Sequence, residues 1–395
     1  MRTSRPAIIL KSVGANAERS RNHNRQLILE RIRDAGQMGR AEMARASGLS
    51  TQAVSNIIAD MMGDGLILEV GRRTGARGLP AVQYGLNPGG GYAFGVEIRP
   101  DAVFAALLDL SGKTIFSARR AQTSVGPEPV TEAVVALLTQ ALEASGVSAS
   151  KVLGAGIVLP GPFGQTGIQN SGSELSGWKG IDLSAWFQSA LGLPVIIEND
   201  ANAAAIAERV KGAAQALDSY AFLYFGAGLG LGWVHNGALA TGAYGNAGEI
   251  GHIPVPCDGQ TVLLETVVSR LSVQQALADK GIVISDGQDL QHLFERANPT
   301  LLAWLDRAQA PLSVAVATVE NLLDPQAIIL GGAMPDGILD YLIEGVGLQV
   351  KSVSNRVDRT VPRLIRGSSG RMTATLGAAA LVINQAFTPT ISLAS

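Results

Sequence analysis

The chain has 395 residues, enough for two or three domains and too many for one ordinary core. Hydrophobic residues at 47% and charged residues at 16% exclude a disordered chain, and a single cysteine, Cys257, excludes an internal disulfide or a thiolate metal cluster. The net charge of −2 conceals a segregation: residues 1–90 hold 13 Lys and Arg against 7 Asp and Glu, while the rest holds 18 against 26.

A basic head on an acidic body points to a polyanion as the head's partner. Residues 1–20 form a basic arm, and residues 21–87 divide into three helical stretches and a hairpin. "HNRQLILERIRDAG" (23–36) places Leu27, Ile28 and Ile32 inward before a glycine stop. "RAEMARASG" (40–48) turns Met43 and Ala44 inward, and "TQAVSNIIADMMGDG" (51–65), capped by Ser50, aligns Val54, Ile57, Ile58 and Met61. Helix, glycine turn, helix is a helix-turn-helix pattern, with polar Thr51, Gln52, Ser55 and Asn56 leading the second helix toward base edges. In "LILEVGRRTGARGLPAVQYGLNP" two apolar strands flank a glycine-rich tip with Arg72, Arg73 and Arg77, a wing suited to phosphates. A small interaction domain with a solvated basic loop would share the helices, but not this polar face and charge segregation together. "NPGGGYAFG" (87–95) supplies a hinge.

Two strand-turn-strand openings follow in the body. "YAFGVEIRPDAVFAALLDLSGKTI" is the first, and "YAFLYFGAGLGLGWVHNGAL" (220–239) repeats its layout with the turn at Gly226–Gly230. Each is followed by helices, which suggests two related lobes facing a cleft. A third glycine turn leaves the strand "AIILGGAM" (327–334), after a helical stretch from Pro311 to Leu323. Glycine is abundant, 47 residues or about 12% against the usual 7%, and such turns let backbone N–H groups approach ligands.

Between the two openings, a strand from Leu193 to Ile197 delivers Glu198, Asn199 and Asp200 to the Ala-rich helix of "IENDANAAAIAE" (197–208). Asn and Asp there suit a helix cap, and equally a site at the carboxyl end of a strand. "GNAGEIGHIPV" (245–255) sets Glu249 and His252 in a glycine-rich turn that favours a pocket over a buried structural histidine.

Taken in order, "GIVLPGP", "GW", "ENDANAAA", "GAGLGLG", "GNAGEIGH" and "DPQAIILGGA" resemble the ROK family of sugar-responsive repressors and sugar kinases over about residues 20–385. The resemblance implies an α/β body on the two-lobed actin-like ATPase (ribonuclease H-like) fold behind a winged helix-turn-helix. Lobe 1 would span 88–199, completed by 376–395, and lobe 2 would span 200–375 with the dimerisation surface. It implies that Asn199 and Asp200 hold sugar hydroxyls, Asp200 being the general base in kinases, and that Glu249, His252 and Glu265 contact the sugar. Paired acceptors in a partly desolvated pocket suit vicinal hydroxyls. Glu174 in "SELSGW" stands where family members often have Asn, and would alter which group of the sugar is read.

Three departures bear on function. Kinases of the family carry Asp-x-Gly-x-Thr in the first hairpin, whereas this chain has "EIRPD" (97–101), whose bulk and added carboxylate oppose ATP. "GAGLGLG" has Ala227 in place of the family's Thr. The family's zinc loop, Cys-x-Cys-Gly-x-x-Gly-Cys, is shortened here to "HIPVPCDGQTVLLE", and one thiol with one histidine cannot close a structural zinc site. The expectation is a non-enzymatic regulator without zinc or ATP that binds a palindromic operator as a homodimer or dimer of dimers and senses a monosaccharide or derivative. The alternative is a sugar kinase that has kept a DNA-binding head. No apolar run nears the roughly 20 residues that span a bilayer, and "AIIL" is too short for a secretory signal. With a lone thiol, a cytoplasmic location is expected.

Overall fold

The computed structural model describes residues 17–73, 80–161, 177–178, 180–284, 287–368 and 370–387. It divides into two compact units, one of residues 1–90 with the chain end from Asn384, the other Gly91–Ile383.

The first unit holds α1 (Ala17–Ala35), β1 (Gln37–Gly39), α2 (Arg40–Ser47), α3 (Thr51–Gly63), β2 (Ile67–Arg73) and β3 (Ala81–Leu86). Ile28, Leu29 and Ile32 of α1 meet Met43 of α2 and the Val54, Ile57, Ile58 and Met61 face of α3 in a buried core. Gly48, at φ 69, ends α2 in the left-handed region, and Ser50 Oγ accepts the Ala53 N–H at 3.2 Å to start α3. The strands form a sheet of order β1-β3-β2. Two expectations shift, and one strand is added. α1 begins at Ala17 instead of residue 23, so part of the expected arm is helical. β1, three residues long and without an alternating pattern, was not legible. Arg72 and Arg73 end β2 instead of sitting in the tip. Arg77 lies outside the described residues.

The second unit opens with β4 (Tyr92–Ile98), β5 (Ala102–Asp109), β6 (Thr114–Ala121), α4 (Pro127–Ser145), β7 (Val152–Leu159), α5 (Leu183–Leu191), β8 (Val195–Asn199) and α6 (Asp200–Lys211). It continues through β9 (Tyr220–Phe225), β10 (Leu229–His235), β11 (Ala238–Leu239), β12 (Pro254–Cys257), β13 (Gln260–Leu263), α7 (Arg270–Ala278), α8 (Gly287–Glu295) and α9 (Pro299–Leu323). β14 (Ala327–Gly332), α10 (Asp336–Gly345), β15 (Leu364–Arg366) and α11 (Thr373–Phe387) complete it, the end of α11 passing to the first unit. One sheet runs β6-β5-β4-β7-β8 and the other β11-β10-β9-β14-β15. In each, an antiparallel meander is extended by two parallel strands, so the second sheet repeats the first strand for strand.

β5, β9 and β14 are buried throughout, as continuous apolar runs in covered sheets should be. α4 covers one outer face and α9 the other, each with its own apolar core. α6 and α11 pack among the sheets on small residues. A Cβ on Gly377 of α11 would fall 1.8 Å from Ala203 O of α6, and one on Gly156 of β7 would fall 2.0 Å from Ala378 O. Only glycine permits that approach.

Boundaries moved where tertiary packing overrode local signals. β8 starts at Val195 instead of Leu193, because Pro194 has no N–H to donate and its carbonyl takes the Ala155 N–H at 2.8 Å. β10 begins at Leu229, which shortens the turn to Gly226–Gly228. α9 starts at Pro299, and Pro311 lies inside it. The buried stripe Leu301, Trp304, Leu305, Ala308 and Leu312 carries the helix through that proline.

Candidate functional site

The β8–α6 junction satisfies both readings of its amide and carboxylate. Asn199 caps α6, its Oδ1 accepting from Ala201 N at 2.8 Å. Its Nδ2 faces the other way, toward Gly161, where a Cβ would meet it at 2.8 Å. Glu198 fixes the junction by accepting from Asn199 N at 2.8 Å and Asn202 Nδ2 at 2.9 Å. Asp200 lies against the turn after β9, its Oδ2 3.1 Å from where a Cβ on Gly226 would stand. Burial, then the charge of Glu97, pushes the Asp200 pKa up to about 7, against the pull of the Ala201 N–H and Arg99. The carboxyl therefore exchanges its proton near neutrality.

Glu97 lies beneath Asp200, 2% exposed. It accepts Arg99 Nε at 2.5 Å and a second Arg99 nitrogen at 3.0 Å, the Tyr224 hydroxyl at 3.1 Å and the Thr375 hydroxyl at 2.9 Å. One buried carboxylate thus joins β4, β9 and α11. The Arg99 guanidinium also donates to Arg371 O at 3.0 Å and stacks 4.3 Å from the Phe104 ring centre. Burial opposes its charge, but Glu97 wins and raises its pKa. Burial likewise lifts the Tyr224 hydroxyl well above its ordinary value.

The opposite wall comes from the glycine-rich turn after β11. Gly248, at φ +95, lies so close to β10 that a Cβ would sit 1.9 Å from Leu231 O, and the Leu231 N–H donates to Gly248 O at 2.9 Å. That docking turns Glu249 inward, where its Oε1 would meet a Cβ on Gly161 at 2.9 Å. His252 Nε2 lies 3.9 Å from Glu249 and 3.8 Å from Glu265. Glu265 Oε2 in turn would be 2.7 Å from a Cβ on Gly228. Burial raises the Glu249 pKa, His252 lowering it and Glu265 adding to the rise. Asn199, Asp200, Glu249, His252 and Glu265, spread over 67 positions of sequence, converge on one glycine-walled cleft. Glu174 lies outside the described residues. Sequence reasoning singled out Glu97 only as a departure, and missed Tyr224 and Thr375 altogether. Nothing local marks them.

In the first unit Thr51, Gln52 and Asn56 are exposed at the start of α3, with Gln52 Nε2 donating to Asn56 Oδ1 at 3.1 Å. Ser55 is half-buried and donates to Thr51 O at 2.8 Å. Arg72 and Arg73 are exposed on β2, and Arg73 lies 3.4 Å from Glu42.

Duplicated five-stranded sheets around small-residue helices, a cleft lined by carboxylates and an amide, and a winged helix-turn-helix together define a sugar-kinase-like body joined to a DNA-binding head. The chain belongs to the ROK family, whose model matches residues 93–385. It is 27% identical over 375 residues to the xylose repressor of Bacillus spizizenii, covering 91% of this chain and 94% of that one. A glucokinase of Halalkalibacterium halodurans is 29% identical over 277 residues, covering 64% of this chain and 81% of the kinase. Among solved structures, a ROK family transcriptional regulator described as a homologue of the E. coli MLC protein superposes with a TM-score of 0.73 at 22% identity. That superposition covers 94% of this chain and 97% of the regulator. No helix among the described residues is long and apolar enough to cross a membrane.

Proposed function

We propose that this protein is a sugar-responsive, DNA-binding transcriptional repressor acting in the cytoplasm, whose two heads in a dimer grip a palindromic operator. Asn199, Asp200, Glu249, His252 and Glu265 would hold a monosaccharide or derivative. Thr51, Gln52, Ser55 and Asn56 would meet base edges, while Arg72, Arg73 and Arg77 meet phosphates. The observation that carries this reading is the pairing, in one chain, of an exposed polar recognition face with a buried-carboxylate cleft. The similarity to the xylose repressor spans both. Ligand couples to DNA only as far as it prefers one state of the body over another.

The kinase alternative draws on Asp200, whose pKa of about 7 suits a general base. Against it stands Arg99, which occupies the first hairpin where kinases of the family keep a glycine and is held there by Glu97 and Arg371 O. We therefore propose no ATP binding and no turnover. A zinc ion does not fit this chain's residues either. The shortened loop, 252–265, holds one cysteine and one histidine, Cys257 and His252, and folds as the β12–β13 hairpin about Asp258 and Gly259, both at positive φ. Asp258 is held by Arg307 at 2.6 Å, and no cluster of three metal-ligating side chains occurs among the described residues.

A thermal-shift screen of sugars with and without ATP-magnesium, run beside an ADP-release assay, tests the proposal. Sugar should stabilise the protein and ATP-magnesium should add nothing. Sugar-dependent ADP release that disappears in Asp200→Asn would establish the kinase instead.

A further inference from the structure

The cleft residues His252 and Glu265 sit at the open end of the β12–β13 hairpin. Cys257 pairs with Gln260, Pro256 with Thr261, Val255 with Val262 and Pro254 with Leu263. The pairing runs one step beyond the strands, where Leu264 N donates to Ile253 O at 3.0 Å. The next step brings His252 opposite Glu265, its Nε2 3.8 Å from the carboxylate. Two sugar-site candidates thus face each other because the hairpin is in register. Slipping it by one residue would carry Glu265 about 3.3 Å along the strand and turn it to the other face.

Three features hold that register. The loop is the two residues Asp258 and Gly259, at φ 50 and 76, and two central residues at positive φ make the turn that matches the twist of the strands. Bonded and non-bonded pairs alternate along an antiparallel ladder. The Leu264–Ile253 bond therefore leaves Pro254 and Pro256 at positions that need no N–H, and a one-step slip would put proline where a donor is required. Val255, Cys257 and Leu264 are buried in the core built on α9, and Arg307 of α9 holds Asp258 at 2.6 Å. All three features are made by the protein's own atoms.

We infer that this hairpin is a metal-free register clamp for the sugar cleft, and that Asp258 and Gly259 are positioning residues that set His252 against Glu265. The turn fixes the spacing of the two segments without engaging His252 as a ligand. The imidazole stays within reach of Glu249 as well, 3.9 Å away. Arg307 and Asp258 are each at least half exposed, so their pair contributes less than the turn does. The inference deepens the sugar-sensing proposal and rests on it for its ligand, while the hairpin geometry has a readout that needs no sugar.

The test uses the full chain. Gly259→Val puts a β-branched residue at φ 76 with nothing within 4 Å of its Cβ, so it strains the turn without a clash. Gly281→Val is the matched control, with the same φ of 76 and the same free space beyond the far end of α7. Both should lower the melting temperature. Only Gly259→Val should weaken binding of D-xylose or D-glucose, by about ten- to hundredfold, the loss of one hydrogen bond to a carboxylate. Only it should move the imidazole NMR signals of His252, one of four histidines, assigned with His252→Gln. Asp258→Asn, which tolerates positive φ, should match wild type in both readouts. Wild-type protein needs no variant: EDTA should leave hydrogen exchange at the Leu264 amide unchanged. Unmoved His252 signals in Gly259→Val, or an equal loss of sugar affinity in Gly281→Val, overturns the clamp. A loss in Asp258→Asn as large as in Gly259→Val, or faster Leu264 exchange in EDTA, overturns it too. Binding of neither sugar by wild type counts against the sugar-sensing proposal alone, and His252 signals that still move keep the clamp.

Discussion

Sugar affinity should depend on pH through Asp200. Burial and the Glu97 charge hold its pKa up at about 7 in the free protein, against an ordinary aspartate value of 3.8. If the parent sugar donates hydroxyl hydrogens to the ionised carboxylate, binding selects that form and expels the proton. With a free-state pKa of about 7, the ionised fraction is roughly nine-tenths at pH 8 and one-tenth at pH 6, so the apparent Kd rises about tenfold, or roughly 1.4 kcal/mol, over that span. Calorimetry in buffers of different ionisation enthalpy should detect release of about half a proton per site at pH 7. Asp200→Asn should bind more weakly and lose the pH dependence. The stability sign is opposite. A carboxyl whose folded pKa is raised contributes stability below its unfolded pKa and loses it as pH rises through about 7. The unliganded melting temperature should therefore fall from pH 6 to pH 8, while the increment given by sugar grows. A Kd that stays flat from pH 6 to 8, or a pH dependence retained in Asp200→Asn, would refute the assignment of Asp200 as a hydroxyl acceptor.

Other consequences are independent of this one. Operator affinity in a mobility-shift assay should fall steeply with salt; Arg72→Ala with Arg73→Ala should weaken binding to all sequences alike, and Gln52→Ala should relax base preference. Operator binding by a chain lacking residues 1–87 would show that the head is misassigned. Arg99→Met leaves Glu97 buried with half its donors gone and should cost about 3–5 kcal/mol in denaturant unfolding, most of it recovered by adding Glu97→Gln; a loss under about 1 kcal/mol would mean the pair is not buried in solution. Elemental analysis should find no stoichiometric zinc, and chelators should leave the melting temperature unchanged. One zinc per chain would contradict the hairpin at Asp258–Gly259.

Much of the head was legible in sequence because its determinants are local. Gly48 can adopt the left-handed turn that ends α2, Ser50 can cap α3, and four apolar residues at helical spacing define its inward face. Each of those choices is made within one helical turn of the residue that makes it. The duplicated body was legible for a similar reason, since each opening hairpin shows two apolar runs broken by a short turn. The motif order then brought Asn199, Asp200, Glu249, His252 and Glu265 together as candidates.

What decides how those candidates behave was not local. Glu97 takes its donors from Tyr224 and Thr375, 127 and 278 positions away, because β4, β9 and α11 meet beneath the cleft. That meeting lifts the Asp200 pKa, and a window around Asp200 shows only a helix start. Gly156 and Gly377 look dispensable in a strand and a helix until Ala378 O and Ala203 O are found against them. β1 exists only because β3 offers it an edge. Capping and turn geometry are settled by neighbours in sequence. Polar satisfaction, close helix approach and the proton affinity of a buried carboxyl depend on which distant strands and helices come to lie side by side, and only the tertiary structure determines that.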